Sequence, residues 1–360
     1  MKTSIFYFVF LLSIFASCAS DSDDEIESEV NNITPSNLVI DVVITGLNSN
    51  NPFGDGSGVV NFIAQATNAS SYGFIVNSGS EVQSIDGVYQ YTFNSVEGIE
   101  NHDIKVIAYS STNNSINTSI IFAVSYYQGT APVWADEFFQ NGTPNNKNWT
   151  YDLGAGGWGN NELQTYTNTS SNVKVEDGLL KIIAKANGSG YTSSRLKSQG
   201  LFQFTYGRVD VRAKLPASAG TWPAIWMLGA NFTSVGWPRC GEIDIMEQKG
   251  WDKNNVLGTC HWYNTSTSGY AGYGLESSVN NASSEFHVYS VVWDANSIRI
   301  LQDNVQYFVM SSSNSSIANS PFQNDFFLIL NVAMGGNLGG TIDSNFTEDS
   351  MEIDYVRVYQ

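Results

Sequence analysis

Residues 241–247 read GEIDIME. Glu242, Ile243, Asp244 and Ile245 alternate polar and apolar, which is the period of a β-strand rather than a helix. Side chains of a strand change faces at each residue, so Glu242 and Asp244 share a face. Glu247 is an odd number of residues from Glu242, and a regular strand would turn it to the opposite face. A one-residue β-bulge near Ile245-Met246 restores the shared face and bends the strand. The stretch therefore predicts a bulged strand with three carboxylates on one side.

The surrounding chain has the same texture. GRVDVRAKL (207–215) alternates strictly, with Val209, Val211, Ala213 and Leu215 inward and charges outward. FFLILNVAM (326–334) is apolar but for Asn331 and predicts a strand buried on both faces. SIRILQDNVQYFVM (297–310) predicts a hairpin turning at Asp303-Asn304. MEIDYVRVY (351–359) is a further strand. Gly, Ser, Thr and Asn are plentiful and long helix-period patterns are hard to find, so the expected class is all-β.

The 360 residues are 42% hydrophobic, enough for one large domain or two. The formal charge of -18 argues against nucleic acid, whose binding needs clustered Lys/Arg. A neutral substrate fits better. No Gly-rich phosphate loop precedes a helix.

Residues 1–17 have one early Lys, an apolar run and small residues, as a secretory signal does. The run ends in FASC, which resembles a bacterial lipobox with Cys18 as the lipidated residue. The acidic stretch behind it, within 18–33, reads as a tether and resembles a surface-export signal. Together these imply an outer-membrane, surface-exposed lipoprotein, held to the membrane through its lipid alone. An ordinary cleaved signal is the alternative. Cys240 and Cys260 are the other two cysteines, either bonded to each other or two buried thiols.

Residues 34–127 hold short β-branched or aromatic runs between turn residues, the pattern of a small β-sandwich. They resemble a PKD-type Ig-like domain, which implies a spacer or a sugar-binding module. YYQGTAP (126–132) is the expected linker, and eight of the nine Trp lie beyond Trp134. Residues 131–360 are the expected second domain.

Three close carboxylates cannot all ionise cheaply, so at least one pKa should rise. A raised carboxylic acid beside a charged carboxylate is the pair that glycoside hydrolysis requires. GTWPAIWMLG lies just before the motif and GTCHW just after it, and sugar rings stack on such aromatic side chains.

GEIDIME together with GWGNNELQTYT, SRLKSQGLFQFTYGRVDVRAKLP, WPAIWML, FHVYSVVWD, LILNVAMGGN and IDYVRVY resembles glycoside hydrolase family 16, most closely its bacterial laminarinases. The resemblance implies a concanavalin-like β-jelly roll of two curved antiparallel sheets. It implies a retaining endo-hydrolase of β-1,3-glucan, acting as a monomer. By it, Glu242 is the nucleophile, Glu247 the acid/base and Asp244 the helper. Asn160, Asn161, Arg195, Trp222, Trp226 and His261 would bind substrate, a core histidine being the lesser alternative for His261. It also implies a structural Ca2+ at Glu137, Gly178 and Asp354, with no cofactor for catalysis; a turn and strand-end carboxylate holding no ion is the bland alternative. A mixed-linkage β-1,3-1,4-glucanase and a non-catalytic β-glucan-binding protein are the other functional readings.

Overall fold

The structure is a computed structural model that describes residues 33–48, 52–311 and 321–360. The expected signal, Cys18 and the tether up to residue 32 lie outside the described residues. By its internal contacts the chain divides into two compact units. The smaller includes 62–89 and 103–120, and the larger includes 42–61, 90–102 and 121–360. The strands between Ser36 and Tyr126 assort into a three-stranded and a four-stranded sheet.

In the larger unit a ten-stranded and a seven-stranded sheet enclose one core, in a jelly-roll-like arrangement. Strand Gly207–Lys214 shows why. Val209, Val211 and Ala213 are fully buried against the facing sheet. The outward Arg208, Arg212 and Lys214 pair with Asp210, Asp354 and Glu352. The hairpin turns where expected, between Ser297–Gln302 and Val305–Ser311, with positive φ at both Asp303 and Asn304. Asn and Asp tolerate that conformation, and its twist matches the flanking strands. One pairing departs from the expected antiparallel sheets: Gln164–Tyr166 runs parallel to Gly190–Ser193 in the ten-stranded sheet.

The seven-stranded sheet is antiparallel throughout. From one edge it runs Gly269–Ser278, Asn255–Asn264, Glu242–Glu247, Thr221–Gly229, Phe326–Met334, Arg195–Lys197 and Thr150–Tyr151. Its fifth strand, Phe326–Met334, is buried at every position. Phe326, Leu328, Leu330, Val332 and Met334 enter the core between the sheets. Phe327, Ile329, Asn331 and Ala333 point the other way and line a cleft of about 660 Å³. The run, apolar but for Asn331, therefore serves two surfaces, a core and a cleft floor.

Candidate active site

The bulge is present in strand Glu242–Glu247. Against Thr221–Gly229, Glu247 faces Ala224 and Met246 faces Ile225, but Trp226 faces Asp244, so Ile245 is the extra residue. The register against Asn255–Asn264 slips over the same span, from Asp244–Thr259 to Glu247–Leu257. Ile245 and Met246 are both fully buried in the core, consecutive side chains on the core face. Glu247 is thereby returned to the face of Glu242 and Asp244, and all three line the cleft. The Tyr307 hydroxyl donates to the Ile245 carbonyl at 3.4 Å, giving the bulged residue a partner outside the ladder. Gly241 opens the strand at φ +83, where an added Cβ would lie 2.7 Å from Pro321 and 2.9 Å from Phe326. Glycine alone fits there.

The three carboxylates are crowded and short of cations. Asp244 is 3% exposed. Its Oδ2 lies 3.1 Å from His261 Nε2, without the alignment of a hydrogen bond. Glu242 Oε1 is 3.8 Å from the same nitrogen, and His261 Nδ1 meets the Tyr270 hydroxyl at 2.8 Å. Trp222 Nε1 donates to Glu247 Oε1 at 3.0 Å. Burial raises Glu242 well above the usual carboxylate range, and the Asp244 charge adds to it, against the pull of His261. Burial and then Glu247 raise Asp244 well above its ordinary value. Glu247 is raised by burial too, with the Trp222 bond opposing. Such a cluster shares its protons as one unit. It can keep one carboxyl protonated beside another that is charged.

Most of the sequence-predicted substrate residues come together. Asn160, Arg195, Trp222, Trp226 and His261 line the same cleft as the carboxylates. Arg195 packs over Trp158 at 5.0 Å and Trp226 at 4.7 Å, and its Nε lies 3.0 Å from Asp152. Trp226 Nε1 donates to Asn331 Oδ1 at 2.8 Å, which holds the ring in place. Asn161 is the exception. Its φ of +59 turns the loop, and its amide donates to Asn337 Oδ1 at 3.2 Å. It joins two loops and is not among the cleft-lining residues.

In the expected calcium set, both carboxylates have protein partners. Glu137 is gripped by Arg357, with Nε at 2.8 Å and Nη2 at 3.1 Å, and accepts from Tyr127 at 3.0 Å. Asp354 is paired with Arg212 at 2.5 Å. Both carboxylates are engaged by arginines, and Gly178 would offer a backbone carbonyl, an oxygen of the kind calcium takes. Cys240 and Cys260 are both free and buried.

Sequence reasoning passed over several cleft residues. Glu162 accepts from Gln164 at 2.6 Å and Tyr166 at 3.2 Å, and Tyr166 in turn accepts from Asn331. The i, i+2, i+4 spacing of these polar side chains in ELQTY was the available signal. Asp152 and Lys197 pair at 2.5 Å on the cleft wall. Trp237, half exposed, leans on Tyr270 at 5.5 Å beside His261. Nothing in the local sequence marks Trp237 as different from a core tryptophan.

Comparison with known proteins agrees with this geometry. The family described as "Glycosyl hydrolases family 16" matches residues 160–357. A beta-glucanase of Rhodothermus marinus is 40% identical over 243 residues, 63% of this chain and 84% of that protein. The crystal structure of a LamA variant from Z. galactanivorans, in complex with laminaritriose and laminaritetraose, is similar with a TM-score of 0.59 at 45% identity. That match covers 64% of this chain and 99% of the other. A mutant of SCLam, a non-specific endo-beta-1,3(4)-glucanase, is similar with a TM-score of 0.58 at 39% identity, over 64% of this chain and 94% of its own.

Proposed function

The chain belongs to glycosyl hydrolases family 16, and we propose that within it this protein is a retaining endo-hydrolase of laminarin-type β-1,3-glucan. One observation carries the mechanism: the Ile245 bulge sets three carboxylates of one strand on the floor of a Trp-lined cleft. A glucan chain lying in the cleft would present a glycosidic bond to Glu242 and Glu247. The Glu242 carboxylate attacks the anomeric carbon as the Glu247 carboxylic acid gives its proton to the leaving oxygen. The bond to the leaving sugar breaks and a glycosyl ester forms on Glu242. Glu247, now a carboxylate, takes a proton from water as that water attacks the same carbon. The ester opens, both residues return to their starting states, and two inversions leave the configuration retained. Asp244 and Glu247 resist being charged together, so the cluster retains a proton that Glu247 can give.

The test is sugar release from laminarin, barley β-glucan and agarose side by side, with the first-formed anomer read by NMR. Release from laminarin with a β-anomer product is expected. An α-anomer as the first product, or turnover of agarose alone, would overturn the reading. A mixed-linkage activity is a second reading, favoured by the likeness to the non-specific endo-beta-1,3(4)-glucanase. Barley glucan cleaved faster than laminarin would establish it.

The same proposal holds the protein at the outer membrane by a lipid on Cys18, with 34–127 as a PKD-like spacer. This rests on the sequence. Incorporation of labelled palmitate, lost in Cys18→Ala, checks the anchor; label retained by the variant contradicts it.

A further inference from the structure

Lys253 takes no part in the chemistry above. It lies in the loop between strands Glu242–Glu247 and Asn255–Asn264. Its ammonium is within hydrogen-bond reach of three acceptors: the Thr221 carbonyl at 2.9 Å, the Thr221 hydroxyl at 2.8 Å and Gln248 Oε1 at 3.2 Å. An ammonium has three donors, so all are spent, and all on neutral acceptors. Gln248 returns a bond from its amide to the Lys253 carbonyl at 3.0 Å. Lys249, on the same loop, instead pairs with Glu276 at 2.5 Å. Burial pushes the Lys253 ammonium down to about 8, against the opposing charge of Asp349. A cation held at that disadvantage needs a reason.

Its acceptors supply one. Thr221 precedes Trp222, and Gln248 follows Glu247. Trp222 and Glu247 are the pair joined by the indole N–H bond at 3.0 Å. The ladder between these two strands ends at Ala224–Glu247, the second pair beyond the bulge. It cannot continue in the ordinary way, because Pro223 has no N–H to donate. A single bond from the Gln248 N–H to the Pro223 carbonyl, at 3.2 Å, extends it. Beyond that point Lys253 joins the two strands through side chains.

We propose that Lys253 is a positioning residue for Glu247: by tying Thr221 to Gln248 where the ladder stops, it holds the Trp222 indole against the Glu247 carboxyl. Its expected effect on turnover rests on the reading of Glu247 as acid/base, whereas its effect on the Trp222–Glu247 bond does not. Lys253→Met keeps the apolar stem and removes the donors. In this variant kcat should fall about tenfold to a hundredfold with KM within about twofold, since misplacing a reacting group by about 1 Å costs on that order. The Trp222 indole proton, assigned by its loss in Trp222→Phe, should move upfield in the NMR spectrum and exchange faster with solvent. Thr221→Val removes one acceptor and should shift the same resonance in the same direction by less, which keeps the test available if Lys253→Met does not fold. An indole resonance unmoved in the folded variant, or a kcat within twofold of the parent, overturns the proposal. Azide rescue of Glu247→Ala separately tests the acid/base reading: without rescue that reading fails, while the indole resonance still reports on Lys253.

Discussion

Two strands of the larger unit carry charges at alternate positions, and they put them to opposite uses. On Gly207–Lys214 the outward side chains are of mixed sign, and Arg208, Arg212 and Lys214 each find a carboxylate within 2.8 Å. Nearby on the same sheet Glu176 lies between Lys174 and Lys181, which hold it down to about 2. On Glu242–Glu247 the outward side chains are all acidic, with His261 as the basic group set among them, and all three are pushed up. Paired charges on an outer face contribute little and disturb little. A single-sign cluster in a cleft costs stability and is kept for what its protons can do.

The largest difference between the strands should appear in turnover. Glu242→Gln and Glu247→Gln should each lower kcat by about 10²–10⁴, the usual worth of a lost acid/base or nucleophilic carboxylate. Glu352→Gln on the outer sheet should leave kcat within twofold. Steady-state kinetics on laminarin measures both. Near-normal turnover by either cleft variant would erase the contrast.

Stability should respond to pH with opposite sign in the two places. The cleft carboxylates bind protons more tightly folded than unfolded. Their contribution is therefore complete below the ordinary carboxylate pKa and is lost as pH rises through their raised values. Glu242→Gln removes a group that resists being charged, so its Tm should exceed the parent's at pH 8 and approach it at pH 4. Each kcal/mol recovered shows as roughly 2–4 °C in a unit of this size. Glu176 behaves in the reverse way: its contribution is present above the ordinary pKa and lost as pH falls toward about 2. Glu176→Gln should lower the Tm slightly at pH 7. Thermal scans at the two pH values decide, and a Glu242→Gln Tm below the parent's at pH 8 contradicts the electrostatics described here.

The same contrast explains what could be read in the sequence. Period-two patterning is local, so the strands at Gly207–Lys214 and Phe326–Met334 were legible, and so was the hairpin at Asp303-Asn304. The bulge was legible because a parity conflict within six residues has few resolutions. The direction of Asn161 was not, since it depends on one loop dihedral. The partners of Glu137 and Asp354 were not legible either. Arg357 is 220 residues from Glu137, and Arg212 is 142 residues from Asp354. A carboxylate that looks free in a motif can be engaged by a residue of the neighbouring strand that is far away in the chain. Lys253 escaped notice because its importance lies in neutral acceptors, which leave no charge pattern.

The smallest effect is expected at Asp354. Its side chain and that of Arg212 are 35% and 40% exposed, so their pair should be worth about 0–1 kcal/mol. Arg212→Met should therefore move the Tm by no more than a few degrees. It should also uncover a carboxylate of the kind calcium takes up at about 2.3–2.6 Å. In the parent a calcium ion would have to displace a guanidinium from Asp354, while Glu137 stays gripped by Arg357. Calcium titration should consequently leave the parent's Tm within about 2 °C of its chelator-treated value, under 1 kcal/mol for a unit of this size. The same titration should raise the Tm of Arg212→Met. A parent that loses several degrees on chelation would show that the Arg212 pair yields to an ion, and Asp354 would then belong with the functional carboxylates rather than the paired ones.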